Sequence, residues 1–201
     1  MPKKSPARQK DKLQKDCPLK DRPTKDETDR EVASPRDLFG LLGKLGISYQ
    51  YYEHEAVFTV EESSKIEINI PGAHCRNLYL RDKKKRNFLV TAMNETPVDL
   101  KALEKEIGCA RLSFGSADRL WQFLGVKPGS VCPYAVINDT DQEVRVILDK
   151  KMMEQDLVNY HPLQNTMTIG IAPDDLLKFF KHTGHDPTIL DLGALSSNFK
   201  R

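Results

Sequence analysis

Beyond its first thirty-odd residues, the chain alternates between apolar patterns of helical period and of strand period. "SPRDLFGLLGKLG" has Ser34 at the N-cap, Pro35 at the first helical position and apolar residues at helical spacing, which predicts a helix. "ISYQYYEH" reads as a short strand, and "FTVEESSKI" as a helix capped by Thr59 with Glu61 and Glu62 in its first turn. In "HCRNLYLRDKKKR", Cys75, Asn77 and Tyr79 alternate with Arg76, Leu78 and Leu80. A charged turn follows, and "NFLVTAM" returns, which predicts a hairpin. Two amphipathic helices come next, "PVDLKALEKEIG" ended by Gly108 and "SADRLWQFLG" ended by Gly125. "YAVIND" and "EVRVILDK" read as a second hairpin around "DTDQ", "TMTIGI" as a strand, and "APDDLLKFFKHTG" as a last helix. Helices and hairpins interleave irregularly, so the expected class is α/β with a mixed, mostly antiparallel sheet flanked by helices, in one domain.

The first 34 residues differ in kind. They carry ten Lys/Arg against seven Asp/Glu, leaving the rest of the chain one charge to the acidic side. Almost no large apolar groups occur there, so residues 1–34 are expected to form a disordered basic extension and residues 35–201 the domain. An apolar h-region is missing and acidic residues are many, which argues against a targeting peptide. No stretch approaches the length of a membrane span.

Cys17, Cys75, Cys109 and Cys132 are scattered without C-x-x-C spacing, so reduced thiols in a cytoplasmic protein are expected. The "HTGH" pair, His182 and His185, is read as a helix end before Gly184 and not as a metal site. No glycine-rich dinucleotide or P-loop motif and no nucleophile elbow is present, so neither a cofactor nor a serine nucleophile is expected.

Three segments look over-specified for packing. In "VKPGSVCPYAV", Gly129 permits positive φ and close backbone approach, and Pro133 stiffens the exit. "YHPLQNT" holds His161 extended before a proline, with Asn165 and Thr166 near it. Arg76 and Asn77 share a strand, where asparagine is disfavoured and the two side chains point to opposite faces unless a bulge intervenes. Each has a plain structural reading as well: a connection, a core histidine, a strand end.

Together, "CRNLYLRDKKKRNFLVTA", "RLSFGSADRLWQFLGVKPGSVCPYAVIND" and "HPLQNTMTIGIAPDDLLKFF" resemble, in order, the motifs of the YbaK/prolyl-tRNA-editing family, from about Pro35 to Leu195. The chain looks most like the free-standing members called prolyl-tRNA synthetase associated domain proteins. The resemblance implies a trans-editing deacylase that hydrolyses the ester of mischarged alanyl-tRNA(Pro) without metal or protein nucleophile. Cysteine or proline specificity, or a weakly active tRNA- or synthetase-binding module, remain alternatives.

By the same resemblance, Arg76, Asn77, Gly129 and His161 carry catalysis. Ser130, Val131, Cys132, Pro133 and Asn165 line or support the aminoacyl site, with Ser113, Phe114 and Thr59 shaping it. Lys83, Lys84, Lys85 and Arg86 are expected to touch tRNA. The family usually has lysine where this chain has Arg76; an arginine can hold phosphate or ribose bidentately. The implied partners are tRNA and, for some members, prolyl-tRNA synthetase; a monomer is expected.

Overall fold

The structure is a computed structural model that describes residues 31–56, 67 and 69–199. The expected extension up to residue 30 and the expected Thr59-capped helix lie outside the described residues. Helix α1 (Pro35–Lys44) begins with the predicted cap: the Ser34 hydroxyl accepts from the Asp37 N–H, and the Asp37 carboxylate accepts from the Ser34 N–H at 2.8 Å. The packed chain reaches back before that helix, because the Ala33 N–H donates to Asn138 Oδ1 at 2.7 Å.

Eight strands form one mixed sheet among the described residues. They are β1 (Tyr49–Glu53), β2 (Ala73–Asp82), β3 (Asn87–Met93), β4 (Leu112–Phe114), β5 (Val144–Asp149), β6 (Val158–Tyr160), β7 (Met167–Ile171) and β8 (Thr188–Leu190). The order is β1-β7-β6-β2-β3-β5-β8, with β4 attached to β2. Four pairings are antiparallel and three parallel.

Every residue of β3 but the last is buried, which requires cover on both faces. One face of the sheet packs on α1, α3 (Ala117–Leu124) and α5 (Pro173–His182) through Leu38, Leu42, Phe123, Leu124, Phe179 and Phe180. The other packs on α2 (Leu100–Glu106) and α6 (Leu192–Phe199) through Leu80, Phe88, Val90, Leu103 and Leu192. A short α4 (Lys150–Met153) follows β5.

The expected second hairpin does not form. Pro133–Asn138 is a 3-10 segment, and β5 pairs in parallel with β3 instead of with that segment. A short apolar run carries no period that separates strand from helical turn. Here Pro133 starts the turn, and the Asp139 carboxylate ends it by accepting from the N–H groups of Glu143 and Val144. The "HTGH" reading holds for the helix end: α5 stops at His182, and Gly184 has φ of 78°. His185 is buried against Asp139, its Nε2 3.1 Å from the carboxylate.

What positions the candidate site is the division of β2. Along one edge it pairs with β3 from Cys75 to Arg81. Along the other it meets β6 only at Ala73 and His74, and β4 only from Leu80 to Asp82. Between those partial pairings the edge carrying Asn77 is open to whatever the loops bring.

Candidate active site

A small cleft of about 50 Å³ sits where β6 leaves β2, lined among others by His54, His74, Asn77, Asn159, His161 and Thr168. Asn77 is placed by the regular register opposite Thr91, whose hydroxyl donates to Asn77 Oδ1 at 2.9 Å. That bond engages the side-chain carbonyl, and the amide N–H groups of Asn77, which meet no acceptor among the described residues, are the ones a ligand would use.

His161 follows β6 directly. Its Nδ1 lies 2.8 Å from the Met167 carbonyl, which can only accept, so Nδ1 carries the proton and Nε2 is an acceptor in the neutral ring. Burial pushes the imidazole below its usual value of 6.5; the Met167 bond opposes that, and the neighbouring His54 ring, 5.6 Å away, adds to it. His54 is tied at both nitrogens, Nδ1 donating to the Glu55 carbonyl at 2.8 Å and Nε2 accepting from the Thr168 hydroxyl at 3.0 Å. His161 is therefore a neutral base at neutral pH, and His54 is a fixed wall beside it.

Asn159 is 3% exposed and wedged between Gly72 and Gly170: a Cβ on either glycine would lie 2.9 Å from its amide. Its Nδ2 donates to the Pro71 and Ala73 carbonyls, while its Oδ1 is buried and meets no donor among the described residues. An unpaired buried acceptor costs about 1–3 kcal/mol, which a donor reaching the cleft would recover.

The loop before the 3-10 segment is a type II turn. Ser130 N–H donates to the Lys127 carbonyl at 3.0 Å, with Pro128 second and Gly129 third at φ 91°. The Gly129 and Val131 N–H groups meet no protein acceptor among the described residues. The loop is set against the "HPLQNT" segment: a Cβ on Gly129 would lie 3.7 Å from Asn165 Nδ2, and Cys132 and Leu163 belong to the same buried cluster. Leu163 itself has φ of 69°, a strained value that holds this segment in its turn. The structure thus joins two of the three motifs by direct contact, and the third, Asn77, shares a cleft with His161.

Gly129 and Ser130 form the crest of the loop and Val131 is half-buried, whereas Cys132 and Pro133 are buried beneath it and support its shape. Burial pushes the thiols of Cys132 and Cys75 up to about 12, so neither supplies a thiolate nucleophile at neutral pH.

Other residues named from sequence lie apart from the cleft. Arg76 points to the opposite side of β2 from Asn77, is exposed, and donates to the Thr96 carbonyl. Ser113 and Phe114 lie on β4 against the far end of β2, with Phe114 68% exposed. Lys83, Lys84 and Lys85 are exposed on the β2–β3 turn, and Arg86 pairs with buried Asp82 at 2.7 Å. Thr59 lies outside the described residues.

His54, His74, Asn159 and Thr168 were not singled out from sequence. Asn159 could have been: asparagine is disfavoured inside a strand, so one within the apolar run "LVNY" signals a task beyond packing.

A family model described as the aminoacyl-tRNA editing domain matches residues 54–179. Prolyl-tRNA editing protein ProX of Acetoanaerobium sticklandii is 39% identical over 152 residues, covering 75% of this chain and 93% of that protein. Prolyl-tRNA synthetase associated domain-containing protein 1 of Mus musculus is 38% identical over 155 residues, covering 75% and 91%. Among solved structures, one described as a candidate trans-editing enzyme for prolyl-tRNA synthetase superposes with a TM-score of 0.60 at 18% identity. It covers 78% of this chain and 95% of that one, a likeness of fold. The chain belongs to the aminoacyl-tRNA editing domain family, on its prolyl-tRNA editing branch.

Proposed function

We propose that the protein is a trans-editing deacylase that hydrolyses the ester of alanyl-tRNA(Pro). One observation carries this reading: His161, whose Nε2 meets no partner among the described residues, and Asn77 line one cleft, and the Gly129 turn packs on the segment that holds His161. The ProX relative is named for prolyl-tRNA editing, which supports the choice of tRNA.

The need for such an enzyme is physical. A pocket sized for proline excludes the smaller alanine by only about 1–3 kcal/mol, so a second site that admits small side chains must remove the error. A cleft of about 50 Å³ suits a small side chain.

The chemistry is attack of water on the ester carbonyl carbon. The carbonyl oxygen takes up negative charge, the bond to the ribose oxygen breaks, and that oxygen leaves with a proton as the amino acid departs. Amides at Gly129 and Val131 face the developing oxyanion, a contribution of about 3–4 kcal/mol per donor. His161 Nε2 accepts from the attacking water or from a ribose hydroxyl that places it, and the Asn77 amide orients the terminal adenosine. Ser130 and Asn165 hold the aminoacyl group, and Cys132 and Pro133 hold the loop. No nucleophile from the protein and no metal takes part in this scheme. Arg76 acts at the acceptor end through its charge, and Lys83, Lys84, Lys85 and Arg86 reach phosphates; Ser113, Phe114 and Thr59 contribute at the margin. Among the described residues no helix is long and apolar enough to cross a membrane. A cytoplasmic monomer acting on free mischarged tRNA, with prolyl-tRNA synthetase as a further partner, completes the proposal.

Incubation with alanyl-, cysteinyl- and prolyl-tRNA(Pro) tests it. Release of alanine well above that of proline is expected. Alanine release no faster than in buffer would overturn the proposal, and preferential release of cysteine would overturn its specificity.

A further inference from the structure

The far end of β2 from the cleft carries a second feature. Lys101 and Lys105, one turn apart on α2, and Arg111 just before β4 line an open groove of about 720 Å³, with Cys109 and Glu104 between them. The β2–β3 turn closes against it: Arg86 Nη2 donates to the Gly108 carbonyl at 3.4 Å, and Asp82 accepts from the Ala110 N–H at 3.3 Å. On the neighbouring strand, the Arg145 guanidinium lies over the Phe88 ring, and its charge, like that of Arg86, reaches the Cys109 thiol.

The charges here are unbalanced at the surface. Asp82 is buried and taken by Arg86 at 2.7 Å, and the Glu104 carboxylate accepts from the Leu112 N–H at 2.6 Å. Glu106 is the remaining exposed acid of α2. Lys101, Lys105, Arg111, Arg145 and the three turn lysines are exposed and form no ion pair among the described residues. The exposed large hydrophobic residues among those described, Phe114 and Ile189, do not line the groove. A protein partner would need an apolar centre of contact. A polyanion needs only cations without competing acids.

We propose that this groove seats phosphates of the tRNA backbone, as a contact region separate from the aminoacyl cleft. This rests on the deacylase reading given above. Five residues of β2 lie between Asn77 and Lys83, six steps or about 20 Å at about 3.4 Å per residue. The groove also borders α2, which covers the face of the sheet opposite Asn77, so it meets the nucleic acid away from the terminal nucleotides held at the cleft. Phosphate contacts set register and carry no base information, so the groove supplies affinity while the cleft supplies selectivity.

The double variant Lys101→Gln/Lys105→Gln tests the proposal, since both side chains are exposed; an unchanged melting temperature verifies the fold. Two substrates are compared, alanyl-tRNA(Pro) and the alanyl ester of a CCA trinucleotide, together with anisotropy binding of uncharged tRNA across a salt series. KM for alanyl-tRNA(Pro) is expected to rise about tenfold. The slope of log affinity against log salt should fall by roughly 1.5–2, the release of about two counterions, as neutralised phosphates predict. Hydrolysis of the trinucleotide ester should be unchanged. An unaltered KM and salt slope would overturn the groove assignment, and so would equal losses on both substrates. So would loss of binding to prolyl-tRNA synthetase with tRNA binding intact. If the wild-type protein hydrolyses neither ester yet the variant loses tRNA affinity, the groove stands and the deacylase reading falls.

Discussion

The Nδ1–H of His161 donates to the Met167 carbonyl at 2.8 Å, across the turn that joins β6 to β7. One backbone acceptor thereby selects the tautomer of the ring and reserves Nε2 for the cleft.

From this follows a pH dependence. Burial holds the His161 imidazole below 6.5, so its basic form persists at pH values where a free histidine is half protonated. The acid limb of kcat/KM for alanyl-tRNA(Pro) is expected below pH 6.5, measured by rates from pH 5 to 8. The same shift affects stability. A depressed imidazole favours the fold fully above the unfolded value, and that contribution is lost as pH falls through the folded one. His161→Ala should lower kcat by about 10² to 10⁴, the range of a positioned proton acceptor. An acid limb centred at or above 6.5 would show that another group titrates.

Gly129 is the third residue of a type II turn at φ 91°, and its Cβ position is open apart from Asn165. Gly129→Ala therefore acts through backbone strain and not through collision. It is expected to cost about 1–2 kcal/mol of stability by thermal or urea unfolding. The turn should relax to negative φ and re-aim the free amides, with kcat falling by at least about tenfold, which corresponds to 1.4 kcal/mol of lost transition-state stabilisation. Full activity with reduced stability would remove the loop amides from the mechanism.

Arg76 stands on the far side of β2 from Asn77 and is held by the Thr96 carbonyl. Its contribution is expected to depend on charge. Arg76→Lys should change kcat less than about twofold, whereas Arg76→Ala should raise KM with kcat nearly intact, the signature of lost uniform binding. A sharp rise in turnover for Arg76→Lys would mean that the arginine impairs the chemistry.

Asp82 closes the β2–β3 turn. Burial would raise its carboxyl pKa, but donations from the Arg86 N–H and guanidinium and from the Ala110 N–H outweigh that and hold it below 3.8. The stability it contributes is complete above about 3.9, the ordinary aspartate value, and is lost as pH falls through the depressed one. Asp82→Asn should destabilise by about 1.5–3 kcal/mol at pH 7, with the gap to wild type narrowing towards pH 2 in urea titrations. A gap that does not change with pH would assign the role to shape alone.

Local rules carried far along this chain. Ser34, Gly108 and Gly125 mark helix ends because capping and positive φ are properties of single residues. The β2–β3 hairpin was legible because its period and its turn agree. The three family motifs were legible as well, as words in order. What only the tertiary structure decided is where those words meet. "YAVIND" became a 3-10 turn because Pro133 and Asp139 act at its two ends, a choice its apolar run could not express. Arg76 and Asn77, adjacent in sequence, face opposite ways because β2 stays regular. His54, Asn159 and Thr168 reach the cleft because β1, β6 and β7 are neighbours in the sheet. Strand adjacency depends on packing across 100 residues or more, as between His54 and Thr168, and no local pattern encodes contacts of that range.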